Sequence, residues 1–236
     1  MKPSNSHQHL RRQVLAGLAV LALPSTLAAC AGVLPGQGPP PRLFRLTPKS
    51  TFPPDLPTAD WQLVIEVPVT PAGLNTTRIA LHRRAIELQH YARANWTDRA
   101  PAMAQTLVVE SFENSARIIA VGRESLGLRA DFILKMELRE FQAEYSNALP
   151  RIGEETGADS LPPLIRVRLN AKLIKLPRRS IVASSNFEYT VVASANSMTG
   201  IIGAFDDALG KTMKRLVGWA LKHGAENIDP RDTRRR

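Results

Sequence analysis

The residues best suited to covalent chemistry lie early in the chain, in the run Leu27-Ala28-Ala29-Cys30. Cys30 is the only cysteine of the 236-residue sequence, and it follows two small residues at the end of an apolar stretch. Because a thiolate is a strong nucleophile, Cys30 is a candidate for covalent modification. The competing hypothesis is that Cys30 packs as a small apolar residue in a core, as free cysteines commonly do.

The residues before Cys30 have the layout of an export signal. Lys2, Arg11 and Arg12 give it a positive start, and residues 14–23 form an apolar run of ten residues. A helix needs about 20 apolar residues to cross a bilayer, so this run is predicted to be the core of a signal peptide and not a transmembrane helix. No later stretch of the sequence approaches that length.

Residues 27–30 resemble the lipobox of bacterial lipoproteins. In those proteins the cysteine thiol receives a diacylglyceryl group, the chain is cut before the cysteine, and the new amino group is acylated, often with palmitate. The resemblance implies that residues 1–29 are discarded. Cys30 then becomes the lipidated first residue of a membrane-anchored protein.

Two export routes are compatible with this signal. The run Arg11-Arg12-Gln13-Val14-Leu15 resembles a twin-arginine signal, although Leu10 and Val14 depart from the usual pattern. An ordinary general secretory signal explains the same positive residues. The residue after Cys30 is Ala31, where lipoproteins of the inner membrane often carry Asp. We therefore expect the outer membrane, facing the periplasm, with the outer leaflet of the inner membrane as the alternative.

Composition limits the partners of the mature chain. Removing residues 1–29 leaves 28 basic against 21 acidic residues, a net charge of +7. In an exported protein this charge indicates anionic lipid headgroups or an acidic protein partner, and not nucleic acid. Residues 30–41 hold four prolines and three glycines and are predicted to be a tether. Residues 225–236 hold four arginines and are predicted to be a disordered basic tail.

Motifs that would indicate an enzyme or a metal site are missing from the sequence. His82, His90 and His223 belong to no HExxH motif, and we expect none of them to have an acidic partner close in sequence. No nucleophile elbow, P-loop or dinucleotide-binding loop occurs. Glu154-Glu155 is a possible carboxylate pair, but a solvated loop is the favoured explanation. We predict no catalytic, metal-binding or cofactor-binding residues.

Hydrophobic periodicity predicts most of the secondary structure. A change of phase after Leu138 predicts a β-bulge in the strand that contains it. Polar residues 146–163 are predicted to be a loop, and residues 177–180 a turn between two long antiparallel strands. The predicted strands cover residues 42–47, 61–67, 78–83, 84–88, 117–121, 132–145 and 164–176, with a return strand from residue 181.

Two helices are predicted, from Trp96 to about residue 114 and over residues 198–223, the second ended by Gly224. Thr97 or Asp98 would cap the first, and Pro101 suits its first turn. Phe112 and Leu209 lie at the centres of the two apolar stripes. The first stripe comprises Ala100, Met103, Ala104, Leu107, Val108, Ser111 and Phe112; the second comprises Ile201, Phe205, Ala208, Leu209, Met213, Leu216 and Ala220.

Strands followed by a helix, twice over, predict an α+β fold: a single domain with a mixed β-sheet and two main helices packed on it. We expect this domain to span residues 42–224. Trp61, Trp96 and Trp219 are expected in the core, although Trp219 falls off the main stripe and could reach a partner or a membrane. The run of alternating residues from 164 onward predicts an exposed basic strand face around Arg166, Arg168 and Lys172.

At this point the chain resembles a known family, the ABC-type transport auxiliary lipoproteins of the PqiC-like group. The resemblance covers residues 42–222 and rests on short motifs whose order matches. They are Arg42-Leu43-Phe44-Arg45-Leu46, Val64-Ile65-Glu66-Val67-Pro68-Val69, Leu74-Asn75-Thr76-Thr77-Arg78-Ile79, Asn95-Trp96-Thr97-Asp98, Phe187 and Phe205-Asp206-Asp207-Ala208-Leu209.

The resemblance implies a role without catalysis. Members of this family work with an MCE-domain protein, an ABC permease and an ATPase that move lipids across the cell envelope, and some are expected to form homo-oligomeric rings. Only Cys30 carries over as a functional residue. Alternatives are an assembly lipoprotein for an outer-membrane barrel or a periplasmic lipid-binding carrier, while an envelope hydrolase is disfavoured by the missing motifs.

Overall fold

The computed structural model describes residues 39–84, 86–124, 129–145 and 161–228. Residues from Pro41 onward belong to one compact unit. The helices and strands in the described part are β1 (Arg42–Phe44), β2 (Ala59–Ile65), β3 (Arg78–Arg84), β4 (Glu87–Trp96), α1 (Ala100–Ser115), β5 (Ile118–Arg123), β6 (Phe132–Glu144), β7 (Leu164–Lys175), β8 (Ser180–Val192) and α2 (Met198–Asn227).

All eight strands join one mixed, curled sheet centred on β6. One edge of β6 pairs antiparallel with β7, which pairs antiparallel with β8. The other edge is divided: β2 lies parallel along the first part of β6, and β3 lies parallel along its last part. Strand β5 then extends the sheet beside β2, while β4 and β1 extend it beside β3. The predicted α+β fold with a mixed sheet and two helices is confirmed.

The core lies between the sheet and the two helices. Every residue of the two predicted apolar stripes is buried, so both stripes are confirmed. Trp96, Phe141 and Phe205 form an aromatic cluster with ring centroids 5.0 to 5.5 Å apart. Trp61 and Trp96 are each 1% exposed, as predicted for core residues. Burial of such large side chains is the main source of stability for a domain that has no disulfide within it.

The predicted bulge occurs in β6. The pairing of β6 with β7 shifts between Leu138 and Glu140, so Arg139 is the extra residue. Before the bulge Leu138 faces the core, and after it Phe141 and Ala143 do so. The bulge therefore keeps apolar residues on the helix side along the full length of the strand.

The predicted start of the first helix is wrong. Trp96 is the last residue of β4, where its N–H donates to the Thr77 carbonyl at 2.7 Å. Helix α1 begins at Ala100 after Arg99, and neither Thr97 nor Asp98 caps it, although Pro101 does lie in the first turn. Tertiary pairing of the strand determines this boundary. The separate strand expected at residues 84–88 is also wrong, because Arg84 ends β3 and Glu87 begins the longer β4.

The predicted end of the second helix is also wrong, because α2 continues through Gly224 to Asn227. A β-carbon at Gly224 would lie 2.1 Å from the buried ring of Trp61, so only glycine fits there. Gly224 is thus a packing residue inside the helix and not its terminator. Within the part of the chain described here, neither helix is long and apolar enough to cross a membrane.

Candidate functional site

Several residues singled out in the sequence lie outside the described residues. They are Cys30, the pair Glu154-Glu155, and the end of the basic tail from residue 229. Their predicted roles therefore stay predictions.

The three histidines lie apart from one another. His82 is on β3, His90 on β4 has its Nε2 3.2 Å from the Gly73 carbonyl, and His223 is on α2. The statement that no histidine has a close acidic partner is wrong for His223, whose Nδ1 lies 2.9 Å from the Glu226 carboxylate one helical turn later. Across residues 39–84, 86–124, 129–145 and 161–228, no group of three or more potential metal ligands comes together.

The outer face of the sheet, opposite the helices, carries a groove of about 600 Å³. We call it the outer groove. Its floor comes from β6 and β7, because Glu140, Gln142 and Glu144 alternate with the buried Phe141 and therefore point away from the core. Its walls come from β3, β4 and the 71–74 turn. The side chains that line it are Pro71, Leu74, His82, Arg84, Leu88, Arg139, Glu140, Gln142, Glu144, Tyr145 and Arg166.

Arg166 is the centre of the outer groove. Its Nε and Nη2 donate to the two oxygens of Glu144 at 2.9 and 3.0 Å, a bidentate pair. Its Nε also lies 3.3 Å from Glu140, and its Nη1 donates to Glu188 of β8. Arg168 adds a contact of 3.0 Å to Glu140. One guanidinium thus binds carboxylates from the strands on both sides of β7, the geometry for which arginine is suited.

The contacts of Arg166 determine the charge state of Glu144. Burial alone would raise the pKa of the Glu144 carboxyl. Hydrogen bonds donated by Arg166 and by Gln142, together with the positive charge of Arg166, outweigh burial and hold the pKa of Glu144 below its ordinary value of 4.5. The hydrogen bond to Glu144 in turn raises the pKa of the Arg166 guanidinium. Both groups are therefore charged at neutral pH.

The prediction of an exposed basic face around Arg166, Arg168 and Lys172 is wrong, because glutamates neutralise most of its positive charge. Arg166 and Arg168 are ion-paired with glutamates of the neighbouring strands, and Lys172 is left as the exposed cation of the three. The sequence showed the alternation within β7 correctly. It did not show the register that brings glutamates of β6 and β8 beside these arginines, because a long segment separates β6 from β7.

The ion-paired groove is poorly suited to proton-transfer chemistry. A carboxylate with a lowered pKa is a weak base and is not protonated at neutral pH, so Glu144 cannot serve well as a general acid or base. The nearby Tyr91 hydroxyl lies 3.0 Å from the Tyr145 hydroxyl, and burial followed by this hydrogen bond raises the pKa of Tyr91. The arrangement is that of an ion-paired floor between partly apolar walls, a surface able to contact another molecule.

A second organised region is the segment that enters the domain, residues 42–54, which lies across both helices. Leu46 is 2% exposed. The Thr47 N–H donates to Asp206 of α2 at 2.7 Å, and the Lys49 N–H donates to Ser111 of α1 at 2.9 Å. This segment therefore fixes the point at which the preceding chain leaves the domain.

Trp219 was expected either in the core or exposed to a partner or a membrane, and its burial is intermediate. It is half-buried on α2, with its ring centroid 5.7 Å from that of Phe187 and 5.5 Å from that of His223. Edge-on packing of this kind stabilises the contact between α2 and β8. Trp219 thus belongs to the margin of the core.

Comparisons with known proteins identify the fold. The crystal structure of XCC0632 from Xanthomonas campestris matches with a TM-score of 0.70 at 29% identity, covering 79% of this chain and 98% of that one. A second crystal structure, of an uncharacterised protein 9% identical, shares the fold with a TM-score of 0.56 and covers 76% of this chain and 97% of that one. A curated relative, the uncharacterised protein bll6063 of Bradyrhizobium diazoefficiens, is 26% identical over 164 residues.

The match to bll6063 covers 70% of this chain and 40% of that protein, so this chain spans less than half the length of its relative. The family comparison is more informative, because one family, described as the ABC-type transport auxiliary lipoprotein component, matches residues 44–217. That range runs from the end of β1 into the second half of α2 and includes all strands from β2 to β8. The resemblance predicted from the sequence is thereby confirmed: the chain belongs to the ABC-type transport auxiliary lipoprotein family.

Proposed function

We propose that this protein is the lipid-anchored, non-catalytic auxiliary component of an MCE-type ABC system that moves lipids across the cell envelope. The observation that carries the proposal is the family match over residues 44–217. The lipobox-like run that ends at Cys30 supports the anchor, because it is followed by a proline- and glycine-rich segment and then by a folded domain.

The proposed organisation follows the chain. Residues 1–29 are a removable signal, residues 30–41 are the lipidated cysteine and tether, and the auxiliary domain begins at residue 42. The boundary predicted between a domain at 42–224 and a disordered tail at 225–236 is wrong, because residues 225–227 complete α2, and the basic tail follows Asn227. Ala31, which stands where inner-membrane lipoproteins often carry Asp, supports the outer membrane as the site of anchoring.

The proposed partners are the MCE-domain protein, the ABC permease and the ATPase of one system, with further copies of this chain as possible neighbours. No nucleotide or metal is required of this chain in such a role. The ion-paired carboxylates of the outer groove support a non-catalytic role, because they are poorly placed for acid–base chemistry. Ester or glycan hydrolysis by the pure protein would contradict this part of the proposal.

The geometry favours a docking role over a lipid carrier. A carrier encloses acyl chains in an apolar cavity. The walls of the outer groove include the apolar Leu74 and Leu88, but its floor holds the ion-paired Glu140, Glu144 and Arg166. A charged floor of this kind would bind a polar surface of a partner more readily than a hydrocarbon chain.

A genetic experiment tests the proposal. Single deletions of this gene and of an MCE-domain gene beside it are compared with the double deletion, with sensitivity of the envelope to detergent and bile salts as the readout. If both proteins serve one transport system, the double deletion has the same defect as the deletion of the MCE gene alone. An additive defect would contradict a shared pathway, and a defect in outer-membrane barrels instead would favour the assembly alternative.

A further inference from the structure

The β3–β4 hairpin projects beyond the rest of the sheet. The last pair between β3 and β6 is His82 with Glu144, and β1 meets β4 only from Ala94 onward. Beyond these points the two strands pair with one another, ending at Arg84 and Glu87. Among the described residues the tip of this hairpin therefore pairs with no other strand, and Leu88 at its base lies against the turn at Gly73.

The tip carries exposed apolar and basic side chains. Ile86 is 99% exposed and Leu88 is 39% exposed. The Arg84 side chain is 77% exposed and lies 3.8 Å from Glu87, a loose surface contact, while Arg83 lies over the ring of Tyr145. Because Ile86 is 99% exposed, its side chain contributes nothing to the core of the domain and can enter another apolar phase. The combination of apolar and basic side chains fits a membrane interface, where the apolar group enters the headgroup layer and the cation meets anionic lipid.

Strand β1 begins on the side of the domain where this tip lies. It runs parallel to β4, with Arg42 opposite Ala94, so its first residue lies nearer to the Glu87 end of β4 than its last residue does. Because β4 is bulged between His90 and Asn95, the distance to the tip is the one along β3, where the six steps from Arg78 to Arg84 span roughly 20 Å at ~3.4 Å per residue. The twelve residues 30–41 can span up to roughly 40 Å. An anchor at Cys30 can therefore hold a membrane at the level of the hairpin tip.

We propose that the β3–β4 hairpin inserts Ile86 into the headgroup layer of the anionic membrane that holds the protein's own acyl chains, with Arg84 on the lipid phosphates. This inference rests on the lipidation of Cys30 proposed above. The hairpin then gives the domain a fixed orientation on the membrane, which a flexible tether alone does not provide. The outer groove, whose wall includes Arg84 and Leu88, lies next to the membrane in this orientation.

The single cysteine of the sequence makes a site-specific test possible. When Cys30 is acylated, an Ile86→Cys substitution introduces the one free thiol, which can be labelled with an environment-sensitive fluorophore. The processed, labelled lipoprotein is reconstituted into vesicles of phosphatidylcholine and phosphatidylglycerol. Flotation of the vesicles reports the anchor, while the emission wavelength and quenching by spin-labelled lipid report the position of the hairpin.

Ile119→Cys is the matched control. Ile119 is also an exposed isoleucine, 70% exposed, but it lies on β5 near the start of β6, at the other end of the sheet. We expect blue-shifted emission and quenching for the probe at residue 86 and water-like emission for the probe at residue 119. Both substitutions are at exposed positions, and an unchanged melting temperature confirms that each variant folds.

The outcomes separate the two proposals. Protein that floats with vesicles but gives water-like emission at residue 86, or equal blue shifts at both positions, would overturn the hairpin contact while leaving the anchor intact. Protein that does not float would overturn the anchor and the hairpin contact with it. An Arg84→Glu substitution combined with the probe at residue 86 is expected to lose most of the shift, and a full shift would overturn the role given to anionic lipid.

Discussion

Thr47 and Asp206 join the beginning of the domain to α2 across 159 residues of sequence. The Thr47 N–H donates to Asp206 Oδ1 at 2.7 Å, and the Thr47 hydroxyl lies 3.0 and 2.8 Å from the two carboxylate oxygens. Because the chain that leads to Cys30 leaves the domain just before Arg42, this contact holds the segment on which a membrane anchor would pull.

An Asp206→Ala substitution tests the contribution of this contact to stability. Hydrogen bonds to a charged group contribute about 1.5–3 kcal/mol each at best, and we expect a total loss of about 2 kcal/mol because the site is partly exposed. Asp207→Ala is the matched control, since Asp207 makes an exposed pair with Lys211 that is worth about 0.5 kcal/mol. Unfolding in urea measures both, and equal losses would contradict the role given to Asp206.

Truncation of the two helical stripes tests the packing of the core. Phe112 is 0% and Leu209 is 1% exposed. We expect Phe112→Ala and Leu209→Ala each to lower the free energy of unfolding by about 2–5 kcal/mol. Ile119→Ala, at an exposed position, is expected to cost less than about 1 kcal/mol. Melting temperatures of the core variants equal to that of the parent protein would mean that the stripes do not face the sheet.

Local patterns in the sequence were sufficient for the parts of the fold that depend on neighbouring residues. The 3.6-residue spacing of Leu209 with its stripe and the phase change after Leu138 both predict features that the structure contains. The turn at residues 177–180 is also where the β7–β8 hairpin reverses. Each of these signals lies within one strand, one helix or one turn.

Features that depend on distant residues were missed. Trp96 ends a strand and does not open the first helix, because its backbone pairs with the segment that precedes β3. Gly224 does not end α2, because Trp61 from β2 occupies the space that a side chain would need. The pairing of Arg166 with Glu144 depends on the register between β6 and β7, which residues 146–163 do not reveal from their composition.

The Arg166–Glu144 pair predicts a particular pH dependence. The pKa of Glu144 is lowered in the folded protein. Ionised Glu144 therefore stabilises the fold at pH values above its pKa in the unfolded chain. This stabilisation is lost as the pH falls through its lower pKa in the folded protein. An Arg166→Met substitution removes the cause of the shift. We expect it to cost about 1–3 kcal/mol at pH 7 and progressively less below pH 4.5.

The measurement is urea unfolding of the parent protein and of the variant from pH 7 down to pH 3. Lys172→Met serves as the control, because Lys172 is exposed on the same strand and forms no ion pair in the described part of the chain. Its effect is expected to be small and independent of pH. An Arg166→Met difference that stays constant over this range would show that the pair does not lower the pKa of Glu144.

A Cys30→Ser substitution tests the anchor. Acyl chains contribute about 0.8 kcal/mol per buried CH₂, so a protein with two or three of them stays on its membrane. We expect the variant to be released into the periplasm or to remain uncleaved. Ser25→Ala, in the same signal, is expected to be processed and anchored normally. Recovery of processed Cys30→Ser protein in the outer-membrane fraction would contradict the lipobox.

Binding tests the proposed auxiliary role most directly. The processed lipoprotein, tagged at its C-terminus, is purified in mild detergent from cells that also express the MCE-domain protein encoded beside it, at low and high salt and with a chelator present. We expect the MCE-domain protein to co-purify without added nucleotide or metal. Absence of the MCE-domain protein at both salt concentrations, from lipoprotein that is folded and acylated, would contradict the proposed role.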